Sequence, residues 1–303
     1  MVRLLCLAVA LALVACSQAA PASSSATVAV ATAAPTATPS PAPTATAAPA
    51  TATPTAAPNW NELPVPATDQ ANLAKQLVMV EAALRDPNVT GAQLAYMGHF
   101  QQLIYGTLAD YPDWKDGVLA ALPEQQRTAV ANGLEAGNQL RTLHGPIPSK
   151  LPDWMIVEPK PIDDLMSFYK EAEKTYGVGW YYLAAIHLVE TRMGRIRGLS
   201  SAGAQGPMQF MPPTWAAYGK GDVNSDHDAI LGAANYLKSS GAPGNMQKAL
   251  FAYNHAQGYV NALILYADVM KNDPFAYRGY WGWQVYYPTK DGTFLLAPGW
   301  KKE

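Results

Sequence analysis

Cysteine is scarce in this sequence: only Cys6 and Cys16 occur among 303 residues. Both lie close to the amino terminus, so no pair of cysteines can cross-link the rest of the chain. A disulfide-stabilised scaffold, the usual solution for a small exported domain, is therefore excluded. The fold must depend on a packed hydrophobic core, and 49% of the residues are hydrophobic.

Charge is scarce as well, at 15% of residues with a net charge of −2. A nucleic-acid-binding protein needs a basic surface, so this balance excludes a nucleic-acid partner. Three catalytic motifs are also missing: the G-x-S-x-G nucleophile elbow, the H-E-x-x-H zinc motif and the phosphate-binding P-loop. Their absence argues against these serine-hydrolase, zinc-protease and nucleotide-hydrolysis chemistries, and no cofactor is expected.

The apolar run at the amino terminus is too short to cross a bilayer as a helix. It extends from Leu4 to Val14 after the basic residue Arg3, a pattern typical of a signal peptide. The run ends in Leu13-Val14-Ala15-Cys16, which resembles the bacterial lipobox, where the cysteine receives lipid. We predict a lipoprotein signal peptide over residues 1–16, with Cys16 as the lipidation site and the membrane as partner. An ordinary signal peptide with an incidental cysteine is the alternative.

Residues 17–58 consist of Ala, Pro, Thr and Ser with few other residues and no charge. A segment with so little large apolar surface cannot form a core, so we predict a disordered linker. Fully extended, its 42 residues would span ~130 Å. That length suits a tether between a membrane and a folded domain, and its threonines leave O-glycosylation open.

Helical periodicity dominates the rest of the chain, which predicts a mainly α fold. Residues 59–150 are expected to form a helical accessory module, in which Leu73, Leu77, Val80 and Leu84 share one helix face. Residues 151–275 contain the remaining long helices. Pro161, the Ser225–Asp228 capping box and Asn245 are predicted to begin helices, and Gly177 is predicted to end one.

Residues 276–303 form an aromatic tail in which we predict a short β-hairpin. Alternating residues at 283–287 and 294–296 flank a turn at Asp291-Gly292. The aromatic side chains of this hairpin either pack on the domain or bind sugar rings, and the sequence favours packing.

The helix that begins at Trp180 carries a single carboxylate, Glu190, in its last turn. Burial in apolar surroundings and the negative end of the helix dipole both disfavour ionisation there. Glu190 is therefore a candidate general acid, held protonated near neutral pH. The alternative is a structural ion pair with one of three arginines, at positions 192, 195 and 197.

Two possible metal sites each lack at least one residue that the metal would require. Asp222, Asn224 and Asp226 begin like a calcium loop, but His227 and Ala233 replace the required Gly and Glu. Capping of the following helix explains these acids better. His187 lies one turn before Glu190 on the same helix, yet no third zinc ligand is indicated, so a buried core histidine is the better interpretation. We predict no metal.

Three motifs resemble the soluble lytic transglycosylase (SLT) domain, a member of the lysozyme-like superfamily related to goose-type lysozyme. The resemblance covers residues 153–270. Residues 60–150 and the tail also resemble accessory regions of some exported bacterial lipoprotein members of this family, with much weaker motifs. In the family's order, the motifs are Glu190-Thr191, Ser200-Ser201-Ala202-Gly203-Ala204-Gln205-Gly206-Pro207-Met208-Gln209-Phe210-Met211-Pro212 and Ala252-Tyr253-Asn254.

The resemblance implies a lysozyme-like catalytic domain over residues 151–275 that cleaves peptidoglycan. In this family one Glu protonates the β-1,4 glycosidic oxygen between N-acetylmuramic acid and N-acetylglucosamine. The resulting carboxylate accepts the proton of the muramic C6 hydroxyl, which attacks C1 and gives a 1,6-anhydro end without water. Glu190 matches that residue. Five others carry over as substrate-binding residues: Ser200, Gln209, Met211, Tyr253 and Asn254.

Two residues depart from the family pattern near the acid. Thr191 stands where Ser is common, and Pro207 replaces the usual Leu. The segment from Glu190 to Ser200 also lacks the common Asn-Pro that follows the Glu. Two other functions stay open at this point: a hydrolytic muramidase of the same fold, and a non-catalytic lipoprotein that binds the cell wall. The signal peptide and lipobox pattern, together with a cell-wall substrate, predicts an exported, membrane-anchored lipoprotein that faces the wall.

Overall fold

The computed structural model describes residues 59–60, 62–143 and 145–302. The predicted signal peptide, Cys16 and the linker lie outside the described residues. Within them, no helix is both long and apolar enough to cross a membrane.

Helices account for most of the described chain, which confirms the mainly α fold class. One 3-10 turn, Pro112–Trp114, precedes the third helix. The α-helices are α1 (Gln70–Arg85), α2 (Gly91–Asp110), α3 (Lys115–Leu119), α4 (Glu124–Arg141), α5 (Ile162–Tyr176), α6 (Trp180–Thr191), α7 (Pro212–Tyr218), α8 (Asp226–Ser239), α9 (Met246–Tyr253), α10 (Gln257–Asn272) and α11 (Ala276–Trp281).

The predicted helix ends agree with the observed caps. The Ser225 hydroxyl accepts a hydrogen bond from the Asp228 amide at 3.3 Å, and Asn245 accepts one from the Lys248 amide at 3.0 Å. Gly177 ends α5 in the left-handed conformation, at φ 75°. Pro161 stands immediately before α5, one residue from its predicted place inside the helix.

Among the described residues, four short strands form two antiparallel pairs. The predicted hairpin is present as β3 (Val285–Thr289) and β4 (Gly292–Leu296). The other pair, β1 (Met155–Ile156) and β2 (Ile196–Arg197), was not predicted. A small apolar cluster joins the two pairs and contains Trp154, Ile156, Ile196, Val285 and Leu296.

One large hydrophobic core contains side chains from both the predicted accessory module and the predicted catalytic domain. At the crossing of α2 and α11 the backbones touch, since a Cβ on Gly98 would lie 2.5 Å from the carbonyl oxygen of Gly279. Helix α6 is buried along nearly its whole length, as its apolar sequence predicts. The division at residue 150 stays a prediction, but packing joins the two segments.

Candidate active site

Glu190 lies in the last turn of α6, and its side chain reaches a cavity. The helix stops because Arg192 adopts the left-handed conformation, at φ 56°. The residue is only 5% exposed. Its carboxyl group is therefore largely desolvated and stands at the negative end of the helix dipole, as the sequence predicted.

Tyr259, in the first turn of α10, donates a hydrogen bond to Oε1 of Glu190 at 2.6 Å. Tyr259 is fully buried, and α10 packs against α6, so two long helices fix this contact. A hydroxyl group that donates to a carboxyl oxygen stabilises the ionised form. Tyr259 can therefore stay bound to Glu190 before and after loss of its proton.

Burial raises the pKa of Glu190 from its ordinary value of 4.5 to about 7, against the lowering effect of the Tyr259 hydrogen bond. Near neutral pH the protonated and ionised forms are then similarly populated. A carboxyl group in this condition can both give and accept a proton, which suits general acid–base chemistry.

The three arginines considered as ion-pair partners of Glu190 bind elsewhere. Arg192 donates to the carbonyl oxygen of Leu188 at 2.7 Å. Arg195 donates to carbonyl oxygens of the tail, and Arg197 pairs with Asp226. Within the described residues none of them forms an ion pair with Glu190, which removes support for the structural alternative.

A tight turn over residues 206–209 faces the end of α6. The Thr191 hydroxyl donates to the carbonyl oxygen of Pro207 at 2.6 Å and accepts from the amide of Gly194 at 3.1 Å. From the other side, the Tyr253 hydroxyl donates to the carbonyl oxygen of Met208 at 2.6 Å. The two departures from the family pattern, Thr191 and Pro207, therefore bind each other.

Gln209 ends this turn in the left-handed conformation, at φ 51°. Its side-chain amide donates to the carbonyl oxygen of Gly206 at 3.0 Å. Its Oε1 atom is buried and accepts no hydrogen bond from the described residues. An acceptor in this state is available for a hydroxyl or amide group of a ligand.

Ser200 stabilises the neighbouring loop. Its Oγ atom accepts hydrogen bonds from the amides of Ala202 and Ala204 at 3.2 and 3.0 Å. The hydroxyl proton is not used in these contacts and can be donated to a ligand.

A cavity of about 240 Å³ brings the six predicted active-site residues together. Glu190, Ser200, Gln209, Met211, Tyr253 and Asn254 all line it, although they come from α6, two loops and the α9–α10 junction. Eight further residues complete the lining: Ala202, Ala204, Phe210, Pro213, Thr214, Tyr236, Ala252 and His255. Glu190 is the only carboxylate among these described lining residues.

Tyr259 is the main residue that motif reasoning missed. It shares a buried face of α10 with Leu263 and Tyr266, so its apolar body follows the helical pattern. A buried tyrosine needs an acceptor for its hydroxyl group, and that requirement is the signal that could have drawn attention to it. The identity of the acceptor depends on helix packing, which periodicity does not give.

Asp226, the last acid of the calcium-like sequence, is buried in a polar cluster behind α6. Its Oδ2 accepts from Arg197 at 2.8 Å, and its Oδ1 lies 3.4 Å from Nε2 of His187. The other ring nitrogen of His187 is 2.7 Å from the Tyr169 hydroxyl. His187 therefore has polar neighbours on both sides, as expected of a core histidine, while Asp226 anchors the start of α8 to the loop after α6.

Comparison with known proteins gives a family match for the central part of the chain. Residues 167–273 match the sequence profile of the Transglycosylase SLT domain. The chain is 30% identical over 124 residues to the membrane-bound lytic murein transglycosylase F of Thiobacillus denitrificans. That similarity covers 38% of this chain and only 26% of the relative. No solved structure gave a significant match.

Proposed function

We propose that this chain, in which residues 167–273 form a transglycosylase SLT domain, is a peptidoglycan lytic transglycosylase. The predicted resemblance to that domain is confirmed by the family match. The observation that supports the proposed activity best is Glu190 itself, a buried acid with a pKa raised to about 7 in a cavity. The similar relative bears the name of a lytic murein transglycosylase.

The proposed reaction uses Glu190 twice. As an acid, it protonates the glycosidic oxygen between N-acetylmuramic acid and N-acetylglucosamine, and the C1–O bond breaks. As a carboxylate, it then accepts the proton of the muramic C6 hydroxyl while that oxygen bonds to C1. Glu190 ends protonated again, and the strand ends in a 1,6-anhydro ring. Most glycosidases need two carboxylates, whereas this cycle needs one.

The surrounding residues bind and orient the sugar. Gln209 offers its free Oε1 acceptor and Ser200 its hydroxyl proton, so together they can hold a group that both donates and accepts. Met211 supplies apolar contact. Tyr253 and Asn254 are proposed to face the N-acetyl group, and the Tyr253 oxygen retains a free lone pair after donating to Met208.

We also propose that the protein works at the cell envelope as a lipoprotein. The relative's name describes a membrane-bound protein. Lipid on Cys16 and a tether over residues 17–58 would place the cavity within reach of the cell wall while the chain remains on the membrane.

The products of a sacculus digest test the reaction. We expect muropeptides with 1,6-anhydro ends, each one water lighter than the corresponding reducing-end product, and mass spectrometry distinguishes the two. Reducing-end products alone would replace the proposal with a hydrolytic muramidase of the same fold. No products at all would favour a non-catalytic wall-binding protein.

Replacing Tyr259 with Phe should move the alkaline limb of the pH–rate profile upward. Loss of the hydroxyl removes the interaction that lowers the pKa of Glu190, so the acid stays protonated to a higher pH than about 7. We expect a drop of about tenfold in maximal rate, because the carboxylate form loses a stabilising hydrogen bond. The measurement is kcat/KM against pH for both proteins.

Tyr253→Phe serves as the matched control, since the Tyr253 hydroxyl donates to a backbone carbonyl oxygen rather than to Glu190. The rate of this variant can fall, but the alkaline limb of its pH–rate profile should stay near that of the unmodified protein. An unshifted limb in Tyr259→Phe would show that the Tyr259 contact does not set the pKa of the catalytic group.

A further inference from the structure

A series of contacts leads from the rim of the cavity to the tail hairpin. Leu199 directly precedes Ser200, which lines the cavity. The carbonyl oxygen of Leu199 accepts a hydrogen bond from Nε1 of Trp154 at 3.2 Å. The Trp154 ring meets Tyr287 edge-on, with 5.4 Å between ring centroids, and Tyr287 pairs with Phe294 across the hairpin. We call these four residues the aromatic strip.

Part of the aromatic strip is open to solvent. Leu199 is 59% exposed and Phe294 41% exposed, and Tyr287 is half-buried. Paired residues in an antiparallel hairpin share a face, so Tyr287 and Phe294 lie on the same face as the buried pair Val285–Leu296.

The buried part of the hairpin already has its packing partners. Val285 and Leu296 lie with Trp154 in the small apolar cluster that joins the two strand pairs. The exposed ring of Phe294 is therefore not needed to close that cluster. The ring of Phe294 thus stays open to solvent and is free to contact a ligand.

The cavity cannot contain a long glycan strand. Its volume of about 240 Å³ is below the ~300 Å³ of an ordinary small-molecule pocket. A polymer with one bond beside Glu190 must therefore continue along the surface on either side. The aromatic strip begins at the cavity rim and consists of side chains without charge, which suits the apolar C–H faces of pyranose rings.

We propose that the aromatic strip is an additional glycan-binding subsite, which holds sugar rings of the strand that passes through the cavity. The C–H faces of pyranose rings pack on aromatic rings, while their hydroxyl groups stay hydrated. This inference rests on the proposed function, because the ligand is the same strand. The subsite adds affinity for long strands and takes no part in bond cleavage.

Phe294→Ser tests the aromatic strip with little risk to the fold, because the side chain is exposed. We expect KM for long peptidoglycan strands to rise about fivefold, the loss of one aromatic contact. The turnover number should not change, because Phe294 does not line the cavity. Phe294→Trp should restore tight binding.

Phe275→Ser is the matched control, since Phe275 is 43% exposed and belongs to neither the cavity nor the aromatic strip. It should behave like the unmodified protein in every assay. Equal KM values for Phe294→Ser and Phe275→Ser on long strands would overturn the proposed subsite.

A pelleting assay with insoluble sacculi separates this proposal from the proposed enzyme activity. Binding needs no cleavage, so the assay is informative even if the chain cuts no glycan. We expect Phe294→Ser to show about fivefold weaker apparent affinity than Phe275→Ser. Equal pelleting of the two variants would refute the subsite, whatever the products of the digest are.

Discussion

Glu190→Gln is expected to lower the rate of the proposed glycan cleavage by about 10³-fold, within the usual contribution of general acid–base catalysis. Glutamine can still accept the hydrogen bond from Tyr259 but can neither donate a proton to the leaving oxygen nor accept one from the C6 hydroxyl. The measurement is the release of soluble muropeptides from sacculi. Retained turnover would show that another group is the acid.

The same variant should be more stable than the unmodified protein at alkaline pH. A carboxyl group whose pKa rises on folding opposes folding once it must ionise. The free-energy cost of keeping Glu190 buried therefore grows between pH 4.5 and about 7. The difference between these pKa values corresponds to about 3 kcal/mol at most. Thermal unfolding should therefore give similar midpoints at pH 4 and a higher midpoint for Glu190→Gln at pH 8. This comparison also shows that lost activity does not come from lost structure.

Asp226→Ala is expected to reduce the free energy of unfolding by about 3 kcal/mol, the usual cost of removing one partner of a buried ion pair. Asp226 is 3% exposed and binds Arg197, with His187 beside it. The variant leaves the Arg197 guanidinium without its carboxylate and removes an acid from the positive end of α8. Denaturant unfolding at pH 7 measures the loss.

The effect of Asp226→Ala should depend on pH in a defined direction. Burial alone would raise the pKa of Asp226, but His187 and Arg197 lower it below its ordinary value of 3.8. The stability that the carboxylate contributes is thus complete above that pH and is lost as pH falls through the lowered pKa. The two proteins should therefore converge in strong acid.

Asp228→Ala is the natural control for Asp226→Ala. Asp228 lies in the same first turn of α8, but its side chain is partly exposed. It makes its contacts at the protein surface, with the loop that precedes α8 and with the neighbouring residue. Its removal should cost about 1 kcal/mol or less. Equal losses for the two variants would show that burial of Asp226 gives it no special role.

Local patterns in the sequence predicted the local structure well. The apolar stretch after Trp180 forms a buried helix that ends beside Glu190, and Ser225, Asn245 and Gly177 stand at helix ends. These features depend on residues within one or two turns of each other, so periodicity and capping rules suffice. The hairpin follows from alternation over a few residues in the same way.

Features that depend on distant pairing were not predictable. The contact between Tyr259 and Glu190 joins residues 69 positions apart, and β1 pairs with β2 through only two residues on each strand. Helices α7 and α11 have seven and six residues, too few for a periodic pattern to stand out. In each case the packing of other elements decides the structure.

The sequence indicated several residues of the candidate site but not the hydrogen bonds that hold them in place. Family motifs supplied six of the residues that line the cavity. They did not show that Thr191 and Pro207 hold one turn in place, or that the three nearby arginines bind groups other than Glu190. Those facts come from hydrogen bonds between loops, and a single sequence contains no record of them.

The hydrophobic core that continues across residue 150 limits how this chain can be divided. The segment that matches the SLT domain ends with α10, and the Asn261 amide on that helix donates to Gln139 on α4 at 3.1 Å. A fragment cut at the borders of the match would therefore leave the α4-facing side of α10 open to water. The matched segment therefore shares its hydrophobic core with α4, and α4 forms part of the scaffold that holds α10 in place.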